Sequence, residues 1–249
     1  MSLILFDVDG TLTPSGGMIH QEMIDTIKCL SEMENVTLGL VGGGNLTKIK
    51  WQMGDAIKYF KYVFSECGAV VSIDNNVVYE KNMLDYCDRS ILNEIVRRAL
   101  LRISEMPIIF HGTQLDFRKG LVYISPPGIQ ATDYERNIFM KMDQELDLRK
   151  KLLAELKSLD TDNLFEMSVG GAVGIAVHPV GWNKSQVIKY LIENGMSDKI
   201  YYFGDRTEPD GNDYPIYSHP MVNGISVMDY RGTVSHIEKL FLFTNIINE

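Results

Sequence analysis

The chain opens with an unbroken apolar run, Leu3-Ile-Leu-Phe6, the signature of a strand covered on both faces as in a parallel sheet. Apolar residues then recur at helical spacing across Gln21 to Met33, at Met23, Ile24, Ile27 and Leu30. Val36 to Val41 reads as a second buried strand, Lys48 to Ile57 as a helix and Tyr62 to Phe64 as a third strand. Ser65 to Gly68 reads as a turn, and Ala69 to Tyr79 as a hairpin reversing at Asp74-Asn75-Asn76. This βαβαβ rhythm predicts a doubly wound parallel sheet.

The middle of the chain changes rhythm. After a helix over Asp88 to Ser104, Gln114 to Arg118 and Leu121 to Ser125 alternate apolar and polar residues around Lys119-Gly120. Period-two patterning of that kind predicts an antiparallel sheet with one covered face. Helical segments follow at Asp133 to Glu145 and Arg149 to Ser158, then strands at Leu164 to Val169 and Val173 to His178 flanking Gly170-Gly171. The earlier pattern returns with a helix over Lys184 to Asn194, a buried strand Ile200 to Phe203, a strand Gly224 to Met228 and a helix Thr233 to Leu242. The expected fold class is therefore α/β, a doubly wound parallel-sheet (Rossmann-like) core with an inserted α+β cap domain carrying an antiparallel sheet. The core is assigned residues 1–81 and 182–249 and the cap residues 82–181.

Composition narrows the classes. With 45% hydrophobic residues in 249, the chain can build a packed core. A formal charge of −9 argues against a general nucleic-acid surface, which needs a basic face. No apolar run approaches the roughly 20 residues of a membrane helix, and the first residues lack the basic region of a secretory signal. Cys29, Cys67 and Cys87 are odd in number and without metal-type spacing, as expected of free thiols in a reducing compartment. A soluble, cytoplasmic protein with no nucleic-acid or membrane partner is expected.

The chemistry is concentrated where strands end. The first strand delivers Asp7 and Asp9, one residue apart, into Gly10-Thr11-Leu12-Thr13. Open α/β sheets bind ligands beyond the carboxyl ends of their strands. Two carboxylates there repel unless a cation lies between them or one holds a proton, which suits a divalent ion and a phosphorylated substrate. Tyr202-Phe-Gly-Asp205 repeats the arrangement, and Asn212 and Asp213 add oxygen ligands of the kind magnesium prefers.

Asp7-Val-Asp9-Gly-Thr-Leu-Thr13 resembles the first motif of the haloacid dehalogenase superfamily of aspartate-nucleophile phosphotransferases. The resemblance implies that Asp7 attacks phosphorus, and that Asp9 protonates the leaving oxygen and later acts as base. It also implies Mg2+ as cofactor, with Asp7, Asp9, Asp205, Asn212 and Asp213 as its expected ligands. Lys184, following Gly181-Trp182-Asn183, matches the superfamily's lysine, whose ammonium balances the acidic cluster and the phosphorylated aspartate.

A closer resemblance, to eukaryotic-type phosphomannomutases, runs in matching order over nearly the whole chain. It is carried by Asp7 to Pro14, Val41-Gly-Gly43, Phe117-Arg118, Ile124-Ser-Pro126, Glu135-Arg136, Gly170-Gly171, Pro179 to Lys184 and Gly204-Asp205 to Asp213. This implies interconversion of mannose 6-phosphate and mannose 1-phosphate, a small phosphorylated sugar, through a bisphosphate. Arg118 and Arg136 match cap arginines that grip the distal phosphate, and the backbone N–H groups of Gly43 and Gly44 are candidate phosphate donors. Five positions depart from the pattern. Gly16 and Ile129 stand where arginines are expected, Gly44 and Gly174 where serines are, and Ala176 where an aspartate is. Charge-assisted hydrogen bonds contribute about 1.5–3 kcal/mol each, so a site stripped of several favours a phosphatase of small phosphosugars as the alternative to a mutase. The third reading, from a different class, is a non-catalytic binding protein. The apolar positions of Asp88 to Ser104 are compatible with a homodimer through the cap and equally with intramolecular packing.

Overall fold

A computed structural model describes residues 2–196, 199–209 and 211–242. In chain order the first elements are β1 (Ser2–Phe6), α1 (Gln21–Ser31), β2 (Val36–Val41), α2 (Leu46–Met53), β3 (Tyr62–Ser65), β4 (Val70–Ile73) and β5 (Asn76–Glu80). Next come α3 (Arg89–Ser104), β6 (Leu115–Phe117), β7 (Val122–Ile124), α4 (Asp133–Leu146), α5 (Leu148–Leu159), β8 (Phe165–Gly170) and β9 (Gly174–Pro179). The last are α6 (Gln186–Glu193), β10 (Lys199–Gly204), α7 (Tyr214–Tyr217), β11 (Val222–Ser226) and α8 (Tyr230–Ile237). The chain divides into two compact units, Met1–Glu80 with Trp182–Glu249, and Lys81–Gly181. Lys81, assigned to the core from the sequence, falls in the second unit.

The first unit is built on a seven-stranded sheet in the order β11-β10-β1-β2-β3-β4-β5. Pairing is parallel from β11 to β3 and antiparallel from β3 to β5. Alternate residues of β1 feed two apolar layers, as the period of two requires. Ile4 and Phe6 pack with Met23, Ile27 and Leu30 of α1, Ile49 and Met53 of α2, and Val234 and Ile237 of α8. Leu3 and Leu5 pack on the opposite face with Val187, Ile188 and Leu191 of α6. Helices on both faces leave the carboxyl ends of the parallel strands as the place where polar groups collect.

Element ends moved where local chemistry intervened. The helix read over Lys48 to Ile57 starts at Leu46, because the Asn45 side chain caps it by accepting from the Lys48 amide at 2.9 Å. It gives way to a 3-10 segment at Gly54, whose φ of 50° ends the α-helix. The last helix begins at Tyr230 rather than Thr233, because Asp229 caps it through the Gly232 amide, and a π-turn follows over Glu238–Leu242. The strand expected at Gly224 to Met228 is β11, two residues earlier.

The second unit has a four-stranded antiparallel sheet, ordered β6-β7-β9-β8. Its buried apolar residues include Val122 and Ile124 of β7, Ile175 and Val177 of β9, and Leu152 and Leu156 of α5. Leu92, Ile95, Ala99 and Ile103 form the buried stripe of α3, which packs against α5.

Candidate active site

β1 and β10 are parallel neighbours with Phe6 opposite Phe203, so Asp7 and Asp205 leave the sheet from adjacent strands, one residue out of register. The Asp7 amide donates to the Phe203 carbonyl at 2.9 Å, which continues the ladder one residue past the strand. Gly10 follows at φ +87°, and a Cβ there would overlap the Asp205 carboxylate, so only glycine permits this approach. Asp213 is brought in by a loop that closes on itself. Its amide donates to the Arg206 carbonyl at 3.1 Å, and its Oδ2 accepts from the Arg206 amide at 2.9 Å. One oxygen from each of Asp7, Asp205 and Asp213 lies within 4.8 Å of the others.

Lys184 sits just before α6 in a turn where Asn183 Oδ1 accepts from the Ser185 amide and hydroxyl. With α6 packed against the sheet, its side chain is 1% exposed. Its Nζ donates to Asp7 Oδ1 and to Asp213 Oδ1, each at 2.5 Å. The Tyr202 hydroxyl is 3.3 Å from the same nitrogen and donates to Asp213 Oδ1 at 2.5 Å.

The electrostatics follow from this packing. Burial pushes the Asp7 carboxyl up to about 7 against the pull of Lys184, and Asp213 and Asp205 push the same way. Burial also acts to raise Asp213, but the Lys184 charge and hydrogen bond outweigh it and hold that carboxyl below its ordinary value. Asp205 is raised by burial and by Asp213. Burial opposes the charge on Lys184, yet Asp213 and Asp7 override it and keep the ammonium protonated. Asp205 Oδ1 is buried and has no hydrogen-bond partner. An orphaned carboxylate oxygen on one of three converging aspartates, with the charges of Arg206 and Lys184 acting on it but no hydrogen bond made to it, suits the donor set that a hard divalent ion completes.

Asp9 is placed differently from the expectation that it joins the metal ligands. Its Oδ2 accepts from Lys48 Nζ at 2.5 Å, and its Oδ1 from Gln52 Nε2 at 2.8 Å and the Gly16 amide at 2.7 Å. Its side chain is taken up by these three donors, and it is not among the carboxylates that converge with Asp7. Burial acts to raise this carboxyl, but Lys48, helped by Gly16 and Gln52, brings it below its ordinary value. Asn212 is exposed beside Asp213 and is not drawn inward with it.

Gly43 and Gly44 lie in the loop leaving β2, the neighbour of β1. The loop is clasped by Glu66 and Cys67, whose amides donate to the Gly44 and Gly42 carbonyls at 3.0 Å. In the second unit Arg118 Nε donates to Asp116 Oδ2 at 2.6 Å. Arg136 donates to the carbonyls of Ala131 and Ile129 at 2.8 and 3.0 Å.

Tyr202, Lys48 and Gln52 were not anticipated as functional. Tyr202 is hidden inside an apolar strand run. Lys48 and Gln52 are four apart and so share a helix face, but nothing local says that this face meets Asp9.

The chain matches the family model described as eukaryotic phosphomannomutase over residues 23–243. It is 35% identical over 242 residues to a phosphomannomutase of Triticum aestivum, covering 96% of this chain and 95% of that one. It is 32% identical to one of Schizosaccharomyces pombe, covering 96% and 94%. Its fold resembles the C-terminal domain of C. albicans trehalose-6-phosphate phosphatase, with a TM-score of 0.65 at 16% identity over 96% of this chain and 91% of that one. It also resembles a haloacid dehalogenase-like hydrolase from Bacteroides thetaiotaomicron, with a TM-score of 0.58 at 16% identity over 96% and 99%. With the acidic cluster at the ends of β1 and β10 and this agreement along almost its full length, the chain belongs to the eukaryotic phosphomannomutase family.

Proposed function

We propose that this protein is a magnesium-dependent phosphotransferase that interconverts mannose 6-phosphate and mannose 1-phosphate through an aspartyl-phosphate on Asp7. The observation that carries this reading is the buried Asp7 carboxylate, tied to Lys184 and facing Asp205 and Asp213. Relatives named phosphomannomutase support the same activity. Asp7, Asp205 and Asp213 would hold the ion, and the orphaned Asp205 oxygen fits that role. When bound, Mg2+ neutralises charge that would otherwise keep an anionic nucleophile from a phosphate.

The chain's own residues do the rest. The Asp7 carboxylate bonds to phosphorus as the bond to the ester oxygen breaks. Lys184, fixed by Asp213 and Tyr202, keeps its proton and offsets the negative charge that Asp7 carries before and after transfer. Asp9 supplies a proton to the departing oxygen and later removes one from the incoming hydroxyl. Paired with Lys48 it is ionised and set as a base, so it donates a proton only after that pair opens. Arg118 and Arg136 of the second unit bind the distal phosphate of the sugar. The ionised Asp9, together with Gly174 and Ala176 at positions that could contact sugar, favours hydrolysis of small phosphosugars as the second reading.

We place the enzyme in the cytoplasm, supported by cysteines that form no disulfide; no helix among the described residues is long and apolar enough to cross a membrane. Self-association through the second unit is also proposed, because Leu100 and Leu101 of α3 remain exposed; sedimentation velocity tests it.

One assay tests the activity. Mannose 1-phosphate is incubated with Mg2+, with and without a hexose bisphosphate primer, and mannose 6-phosphate and free phosphate are both measured. Primer-dependent isomerisation with little phosphate release is expected, and Asp7→Asn should abolish it. Primer-independent phosphate release would replace the mutase by the phosphatase, and neither product would overturn both.

A further inference from the structure

The second unit holds a polar cluster that the family motifs do not mark. Tyr123 of β7 pairs with Ala176 of β9, and its hydroxyl donates to the Gly170 carbonyl at 3.0 Å. The ring fits there because its neighbours lack side chains. A Cβ at Gly171 would lie 2.9 Å from the hydroxyl, and one at Gly174 would overlap Cζ. Tyr123 thus fills the space of the side chain missing at position 174.

The charges of three guanidinium groups reach this ring. Arg118 lies over it at 5.1 Å from the centroid. Arg149, absent from the motif set, reaches the Gly171 carbonyl with Nη1 at 3.4 Å. Burial pushes the Tyr123 phenol up, and the charges of Arg118, Arg136 and Arg149 all oppose that rise. Each guanidinium is tethered through Nε: Arg118 to Asp116, Arg149 to Asp143 at 2.7 Å, and Arg136 to the Ala131 carbonyl. Tethering through Nε aims the fork. Both terminal nitrogens of Arg118, Nη1 of Arg136 and Nη2 of Arg149 make no hydrogen bond among the described residues. Three guanidiniums against two carboxylates leave one net positive charge, with unused donors suited to a phosphate dianion.

We infer that Arg149 is a phosphate-binding residue, acting with Arg118 and Arg136 in a subsite for the distal phosphate of a sugar bisphosphate. Tyr123 is the positioning residue that organises it. Arg149 supplies the third guanidinium that Ile129 does not, from a different place in the chain. This deepens the proposed function and rests on it.

Calorimetric titration with a hexose 1,6-bisphosphate and Mg2+, in an Asp7→Asn background that prevents turnover, tests the assignment. Arg149→Gln should weaken binding about tenfold or more, the scale of one charge-assisted hydrogen bond, and Arg149→Lys should restore part of the loss. Asp143→Asn removes the charge from the same half-buried ion pair but keeps the guanidinium, and leaves an amide oxygen that can still accept from its Nε and aim it. It should lower the melting temperature as Arg149→Gln does while leaving affinity unchanged or tighter. If Arg149→Gln binds normally, or if both variants lose affinity in step with stability, Arg149 is a structural clamp and the inference fails. If the Asp7→Asn protein with Arg149 intact binds no bisphosphate, the sugar-phosphate reading itself fails.

Discussion

Replacing Lys184 by methionine removes the ammonium between Asp7 and Asp213 while keeping most of the side-chain volume. In the wild type that nitrogen is 2.5 Å from an oxygen of each carboxylate, in a site where Lys184 is 1% exposed. Breaking a buried ion pair by deleting one partner costs about 3–5 kcal/mol, because the remaining charge stays buried without compensation. At roughly 2–4 °C per kcal/mol for a body of this size, the melting temperature should fall by about 6–20 °C near pH 8 without Mg2+. Without Lys184, the Asp7 value, already above that of the unfolded chain, rises further, and Asp213 loses the charge that held it down against burial. A raised carboxyl value destabilises the fold increasingly as pH climbs from the unfolded value through the folded one, so protonation relieves the variant. The loss should therefore shrink near pH 5, and Mg2+ should recover part of it near pH 8 by binding the folded state. Calorimetric melts at both pH values, with and without Mg2+, read all of this. A loss under about 1 kcal/mol at the higher pH, or equal losses at both, would refute an electrostatic role for Lys184.

Because burial and two neighbouring carboxylates hold Asp7 at about 7, protons compete with the metal. Mg2+ affinity measured by titration should weaken about tenfold per pH unit below 7 and level off above it, and a flat profile would count against the ligand set. Lys48→Met removes the charge that holds the Asp9 carboxyl down, so the limb of the kcat–pH profile set by Asp9 should move to higher pH, with Lys48→Arg restoring it; an unmoved profile would separate Lys48 from the reaction. Gly174→Ser forces a Cβ into the Tyr123 ring and should destabilise by about 1–3 kcal/mol, as overpacking does. Adding Tyr123→Ala should recover much of that loss in thermal melts, and additive losses would mean the two positions do not compete for space.

Much of this protein is legible in local sequence, because apolar periodicity and the two glycine-linked aspartates are local properties. The run Leu3 to Phe6 predicts β1, and the repetition of an apolar run ending in an aspartate anticipates that Asp7 and Asp205 lie at the carboxyl ends of strands of one sheet. Lys184 could be nominated only by resemblance, and Asp213 only as an oxygen ligand on a loop, because their spacing along the chain carries no sign that they meet. Tertiary structure decided the rest. The β1–β10 pairing and the packing of α6 bring a lysine 177 residues from Asp7 into hydrogen-bond contact with it. Which carboxylates share a cation and which is taken up by Lys48 depends on side-chain direction and burial, both set by helices packed on the sheet. The same holds for Tyr123 and Arg149: their roles arise from empty space at Gly171 and Gly174 and from charges distant in sequence. Periodicity reports which side of an element is buried, whereas chemistry depends on what the buried side meets.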